Sequence, residues 1–164
     1  MTAAAEDRLA ERIGTSGLSV AVAESLTSGR ISTVLGAAPK SSEWFRGGVV
    51  AYSTEVKRLV LGVPDCPPVC RETAEAMATG VRALLRADIT VAVTGAGGPD
   101  PQGDEPPGSV WFAVASAAEV EAVHRQFSGE PHEIVARTGE YALELLWRAC
   151  ARHRDAISGG MATT

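Results

Sequence analysis

Apolar residues recur along this chain in two rhythms, helical spacing and short unbroken runs, and the two alternate. Residues 2–14 read as a surface helix. Thr2 is a natural cap, Leu9 and Ile13 stand four apart, and Gly14 can end it. Leu18 to Ala23 is a mostly apolar run of strand length. It empties into Glu24-Ser25-Leu26-Thr27-Ser28-Gly29, which turns into a helix through about Leu35 with Ile31, Val34 and Leu35 on its buried side. Gly47 to Tyr52 is the next strand. Ser53 then caps a short helix carrying Lys57, Leu59, Val60 and Leu61, stopped by Gly62 and Pro64.

From about Arg71 to Arg86, the apolar positions Ala74, Met77, Ala78, Val81, Leu84 and Leu85 have the spacing of an amphipathic helix. Ile89 to Val93 is a continuous run dominated by β-branched residues, as in a strand buried on both faces. It runs out into a Gly- and Pro-rich loop reaching Gly108. Ser109 to Ala115 and Val120 to Phe127 read as an antiparallel pair, and about His132 to Arg152 as a last helix with Ile134, Tyr141, Leu145 and Ala149 among its apolar positions. Ser158 to Thr164 has no pattern and is expected to be disordered. Helices alternating with strands, apart from one adjacent strand pair, predict a single three-layer α/β/α domain over residues 1–157 with a mixed, largely parallel sheet.

Composition narrows what such a domain does. At 164 residues the chain is long enough to bury a real core, and 45% hydrophobic with 21% charged residues is the balance of a soluble globular protein. A net charge of −5 argues against nucleic acid, whose phosphates call for a basic face. The apolar runs are too short for a bilayer and the start lacks a signal-peptide core, so a cytoplasmic protein with no membrane partner is expected. Three cysteines make no disulfide framework. Cys66 and Cys70 lie four apart in a proline-rich loop without histidines at zinc spacing, and Cys150 stands alone, so all three read as reduced thiols. His124, His132 and His153 are scattered, and no metal is expected.

Three weak chemical signals remain. Ser25 lies at a strand-to-helix turn, where free N–H groups and the helix dipole can hold a phosphate or a developing oxyanion; a plain capping role for Ser25 or Thr27 is the competing reading. The segment matches neither Gly-x-Ser-x-Gly nor Ser-x-x-Lys. A serine needs a base, and no histidine falls near a strand end. Lys57, just beyond the second strand, can serve if its amine is desolvated, with Tyr52 beside it. Finally, Thr94-Gly95-Ala96-Gly97-Gly98-Pro99 is a glycine loop at the exit of a buried strand, and it fits neither the P-loop nor the dinucleotide pattern.

Taken in order, Ala23-Glu24-Ser25-x-Thr27, Trp44-Phe45-x-x-Gly48, Tyr52-Ser53-x-Glu55-x-Lys57, Leu61-Gly62-Val63, Thr94-Gly95, Pro107-Gly108 and Phe127-Ser128-Gly129 resemble the CinA C-terminal-domain family, the nicotinamide-nucleotide amidohydrolases. The resemblance covers roughly residues 5 to 150. It implies hydrolysis of nicotinamide mononucleotide to nicotinate mononucleotide and ammonia, in pyridine nucleotide salvage. In that reading Ser25 is the nucleophile, Lys57 its base and Tyr52 an assisting group. Backbone N–H groups after Ser25 form the oxyanion hole, and Thr27, Thr94, Gly95 and Arg137 are the substrate-binding candidates. No cofactor or metal is implied. The expected partners are the small-molecule amide and further copies of the chain.

The chain departs from the family pattern at several points. Where the family usually reads Gly-Asp-Arg-x-x-Val-Arg, this chain has Gly129-Glu130-Pro131-His132-Glu133-Ile134-Val135, with Pro131 and Val135 in place of the arginines suited to phosphate. Arg137 and His132 are the nearby substitutes. Leu26 and Ser28 replace the usual Cys and Gly, Gly97 and Asp100-Pro101 stand where the family prefers Ala and Gly-Gly, and Glu105 stands for a common lysine. Three readings follow: an amidohydrolase on the mononucleotide, the same machinery on another amide such as an unphosphorylated one, and a non-catalytic ligand-binding relative.

Overall fold

A computed structural model describes residues 3–160. Its sheet has five strands in the order β2-β1-β3-β4-β5. These are β1 (Val20–Glu24), β2 (Phe45–Val50), β3 (Ile89–Gly95), β4 (Ser109–Ala115) and β5 (Val120–Gln126). β1 pairs parallel with both β2 and β3, whereas β3–β4 and β4–β5 are antiparallel, so only β4 opposes the common strand direction. The helices are α1 (Ala3–Gly14), α2 (Arg30–Ala37), α3 (Ser41–Trp44), α4 (Thr54–Leu61), α5 (Arg71–Leu85) and α6 (Pro131–Gly160).

Strand alternation divides the interior into two unlike layers. On one face Val20, Val22, Val91, Val93, Val110 and Phe112 pack under Ile13 of α1, Ile31 and Leu35 of α2, and Leu143 and Leu146 of α6. The other face is alanine-rich, with Ala21, Ala23, Ala92, Ala113 and Ala115 beneath Met77, Ala78 and Val81 of α5 and Leu61 of α4. Helices on both sides of the mixed sheet give the expected three layers.

Local chemistry moves several boundaries. β1 begins two residues later than Leu18 and takes in Glu24. β2 starts at Phe45, with an irregularity beside Val20/Ala21, and ends before Tyr52. Ala51 N–H still donates to Glu24 O (2.8 Å), after which the chain leaves for Ser53, whose Oγ accepts Val56 N–H as the expected cap of α4. Sequence reasoning missed α3, a single turn. The last helix continues through Gly160, into the stretch read as a tail; Thr2 and residues 161–164 lie outside the described residues. No described helix is long and apolar enough to cross a membrane.

Candidate functional site

In a parallel sheet, neighbouring strands whose connections leave in opposite directions open a crevice at their carboxyl ends. Here that place lies between β1 and β3. Ser25 follows β1 directly, the Gly95–Gly98 segment follows β3, and Tyr52 arrives from the end of β2. They meet in a pocket of about 270 Å³ lined by Ser25, Leu26, Tyr52, Gly97, Asp100 and Gln102 among others.

Ser25 is not on a helix and does not cap one. Residues 25–29 form a double turn in which Ser28 N–H donates to Ser25 O (3.1 Å) and Arg30 N–H to Thr27 O (3.0 Å). Ser28 (φ 49°) and Gly29 (φ 98°) both take the left-handed conformation that the turn requires. The N–H groups opening α2 are spent on a residue to which the sequence reading gave no role. The buried Glu24 carboxylate accepts from Ile31 N–H (2.9 Å), Ser32 N–H (3.0 Å) and Ser32 Oγ–H (2.7 Å). This corrects the expectation that the helix start itself faces the ligand. The amides left for an oxyanion are those of Leu26 and Thr27, to which the described residues supply no acceptor. Thr27 is buried, and its Oγ1 also lacks a partner.

Lys57 is the unexpected member. A lysine on a short helix is normally solvated, yet this one is 1% exposed. It shares the inner face of α4 with Leu61, as residues four apart do. Nζ donates to Thr94 Oγ1 (3.4 Å), and that hydroxyl donates to Pro68 O (2.5 Å). No carboxylate pairs with it among the described residues, and burial alone pushes the amine below its ordinary value of 10.5. Among the described residues no hydrogen bond joins Nζ to Ser25 Oγ; Lys57 lies behind the pocket wall, with Thr94 as its immediate contact.

The other candidates divide. Tyr52 lines the pocket but is 68% exposed, so it stands at the rim and not in the core. Thr94 is buried beneath the pocket as the partner of Lys57, and Gly95 is in its wall. Arg137 is not part of the lining: its guanidinium donates to Ser128 O (2.7 Å). His132 is exposed on the first turn of α6 and also lies outside the lining. Pro131 stands close to Gly98, so the start of α6 does adjoin the pocket, but with a ring and no charge.

A serine–histidine contact is present at a place the sequence did not suggest. Ser109 Oγ lies 2.8 Å from His124 Nε2 and donates to the Glu105 carboxylate. Ser109 is fully buried and its hydrogen is committed to Glu105, so it ties the glycine loop to β4 and does not act as a nucleophile.

The fold and pocket define a small α/β domain with a pocket at the switch point of its sheet and a buried lysine behind it. Residues 2–150 match the CinA C-terminal domain. A CinA-like protein of Gemmatimonas aurantiaca is 43% identical over 141 residues, 82% of this chain and 33% of its own length. Among solved structures, a competence-damaged protein (CinA) superfamily protein from Klebsiella pneumoniae superposes with a TM-score of 0.84 at 29% identity, covering 90% of this chain and 98% of that one. A competence/damage inducible protein from Agrobacterium tumefaciens gives 0.84 at 34% identity, covering 90% and 96%. The chain belongs to the CinA C-terminal domain family. It spans about one third of the length of the curated relatives it matches.

Proposed function

We propose that this domain hydrolyses a carboxamide through Ser25 and Lys57, its substrate being a pyridine nucleotide amide of the nicotinamide mononucleotide type. The observation that carries the reading is a lysine sealed from water, without a counter-charge, directly behind a pocket that contains a serine. Burying such a group costs stability, and strongly perturbed groups of this kind cluster at functional sites.

In the forward step Lys57 takes the Ser25 proton as Oγ attacks the amide carbon. The Leu26 and Thr27 N–H groups hold the resulting oxyanion. Lys57 then returns the proton to the departing nitrogen, and ammonia leaves an acyl-serine. Water, deprotonated by the same amine, releases the carboxylate. Nζ must turn from Thr94 toward Ser25 for this, in keeping with catalytic hydrogen bonds that tighten only when substrate binds. Ammonia released from nicotinamide mononucleotide tests the proposal. The expected result is turnover that falls to background in Ser25→Ala; equal release by both proteins would remove Ser25 from the reaction.

One observation favours a second reading, an unphosphorylated amide. The pocket lining contains Asp100 and no lysine or arginine, Pro131 replaces a family arginine, and Arg137 is engaged elsewhere. Nicotinamide riboside compared with its 5′-phosphate separates the two: preference for the phosphate at low substrate concentration excludes the second.

A further inference from the structure

Both cysteines of the loop between α4 and α5 converge on one hydroxyl. Cys66 Sγ lies 3.2 Å from Thr73 Oγ1, and Cys70 Sγ lies 3.4 Å from the same atom. Cys70 is the N-cap of the fifteen-residue α5, its sulfur accepting Thr73 N–H (3.4 Å) where an oxygen is usual. Its own S–H is within 3.2 Å of Pro67 O, the carbonyl to which Thr73 Oγ1 also donates (2.7 Å).

Two further features surround the pair. A cleft of about 260 Å³, lined by Pro67, Pro68, Val69, Cys70, Gln102 and Glu105 among others, gives a small molecule access to Cys70. The next carbonyl along, Pro68 O, receives Thr94 Oγ1–H, and Thr94 in turn holds Lys57. Because both sulfurs sit against the same oxygen, they are near enough to each other for thiol–disulfide chemistry.

We propose that Cys66 and Cys70 form a dithiol–disulfide site that reacts with small-molecule disulfides and, when oxidised, draws Pro68 O away from Thr94 and so releases Lys57 from its seat. Cys70, as thiolate, attacks one sulfur of a disulfide R–S–S–R, forming Cys70–S–S–R and expelling one thiolate, which takes up the Cys70 proton. Cys66, as thiolate, then attacks Cys70 Sγ, closing the protein disulfide and expelling the second thiolate, which takes up the Cys66 proton. Two protein thiols are oxidised and one external disulfide is reduced to two thiols. Burial pushes the Cys66 thiol up, which suits the slower, resolving sulfur. Closing the disulfide removes the S–H that Cys70 donates to Pro67 O, so the loop that carries Pro67 and Pro68 loses this hydrogen bond and shifts with the sulfurs.

Oxidised glutathione is the probe. The folded protein is incubated with it, then unfolded in denaturant, alkylated and cleaved after arginine and lysine, so that both cysteines fall in the single peptide Leu59–Arg71. That peptide should lose two hydrogens, while Cys150, buried with its thiol pushed up to about 11, stays alkylatable and reports that the protein remained folded. Cys66→Ser should instead trap glutathione on Cys70. Cys70→Ser, which keeps a capping oxygen on α5, should take up neither. A reduced Leu59–Arg71 peptide in native protein, or oxidation only when Cys150 also reacts, overturns the proposal.

The coupling to Lys57 rests on the amidohydrolase reading, and the peptide result does not. Oxidation should lower ammonia release by about a hundredfold, the scale expected when a catalytic group moves by about 1 Å, with recovery in dithiothreitol. An oxidised pair with unchanged turnover overturns the coupling. A domain that shows no turnover even when reduced rejects the activity and leaves the thiol chemistry decided by the peptide.

Discussion

Lys57 sets the terms at the residue scale. Its amine is buried without a compensating charge, so the folded chain gives up the lysine proton at a pH where the unfolded chain still holds it. Between the lowered folded value and 10.5 the unfolded state therefore binds more protons, and stability rises with pH across that window; below it, burial of the charged form is a standing penalty. Urea titrations at a series of pH values should show this contribution in the native protein and lose it in Lys57→Met. Turnover should climb as pH rises through the lowered folded value and level off above it, because only the neutral amine accepts the Ser25 proton. Lys57→Arg should be inactive at every pH, since a guanidinium does not deprotonate in proteins. Activity surviving in that variant would mean that another group is the base.

Elements place these side chains through contacts remote in sequence. The turn bearing Ser25 is held because Glu24, at the end of β1, reaches forward to the start of α2. Glu24→Ala would leave the buried Ile31 and half-buried Ser32 N–H groups without their acceptor, and should cost about 2–6 kcal/mol in urea unfolding, from about 1–3 kcal/mol for each unsatisfied donor. A loss below about 0.5 kcal/mol would show that water replaces the carboxylate. Lys57 depends on how closely α4 approaches α5: a side chain at Gly80 would collide with the Leu61 carbonyl, so glycine alone lets the helices come this near.

These contacts also explain what the sequence disclosed and what it hid. The β-branched run of β3, the heptad-like face of α5 and the Ser53 cap of α4 are periodic or local, and they were legible. The interior position of Lys57 was not, because its neighbours Thr94 and Pro68 come from β3 and a loop. Glu24 reads as a polar residue after a strand until the fold shows the amides it caps. Ser25 and Tyr52 come from separate strand ends and line one pocket, whereas Arg137, near that pocket in sequence, donates to the Ser128 carbonyl.

On the scale of the whole molecule, the two core layers close without the far end of α6. Its buried contacts finish at Ala149 and Cys150, and residues 157–160 are exposed. Removing residues 157–164 should therefore change unfolding free energy by less than about 0.5 kcal/mol and leave turnover intact. A larger loss would mean that this end docks on something, either the domain or a second copy. The alanine face under α5 has the opposite character: Ala92 and Ala113 stand opposite each other on paired strands and leave little room for larger side chains.

The reversed direction of β4 has its own consequence. Because β4 opposes β3, the chain that departs from the pocket edge comes back to that edge. It is fastened at its neck by Ala96 N–H to Ser109 O (2.9 Å) and Gly108 N–H to Ala96 O (2.7 Å). Residues 97–107 are thus a loop clamped at its base, with ties from within it to Ser109 of β4 through Glu105 and to Gln126 of β5 through Pro107 O. A change of length within residues 97–107 therefore leaves β3 and β4 paired in the same register.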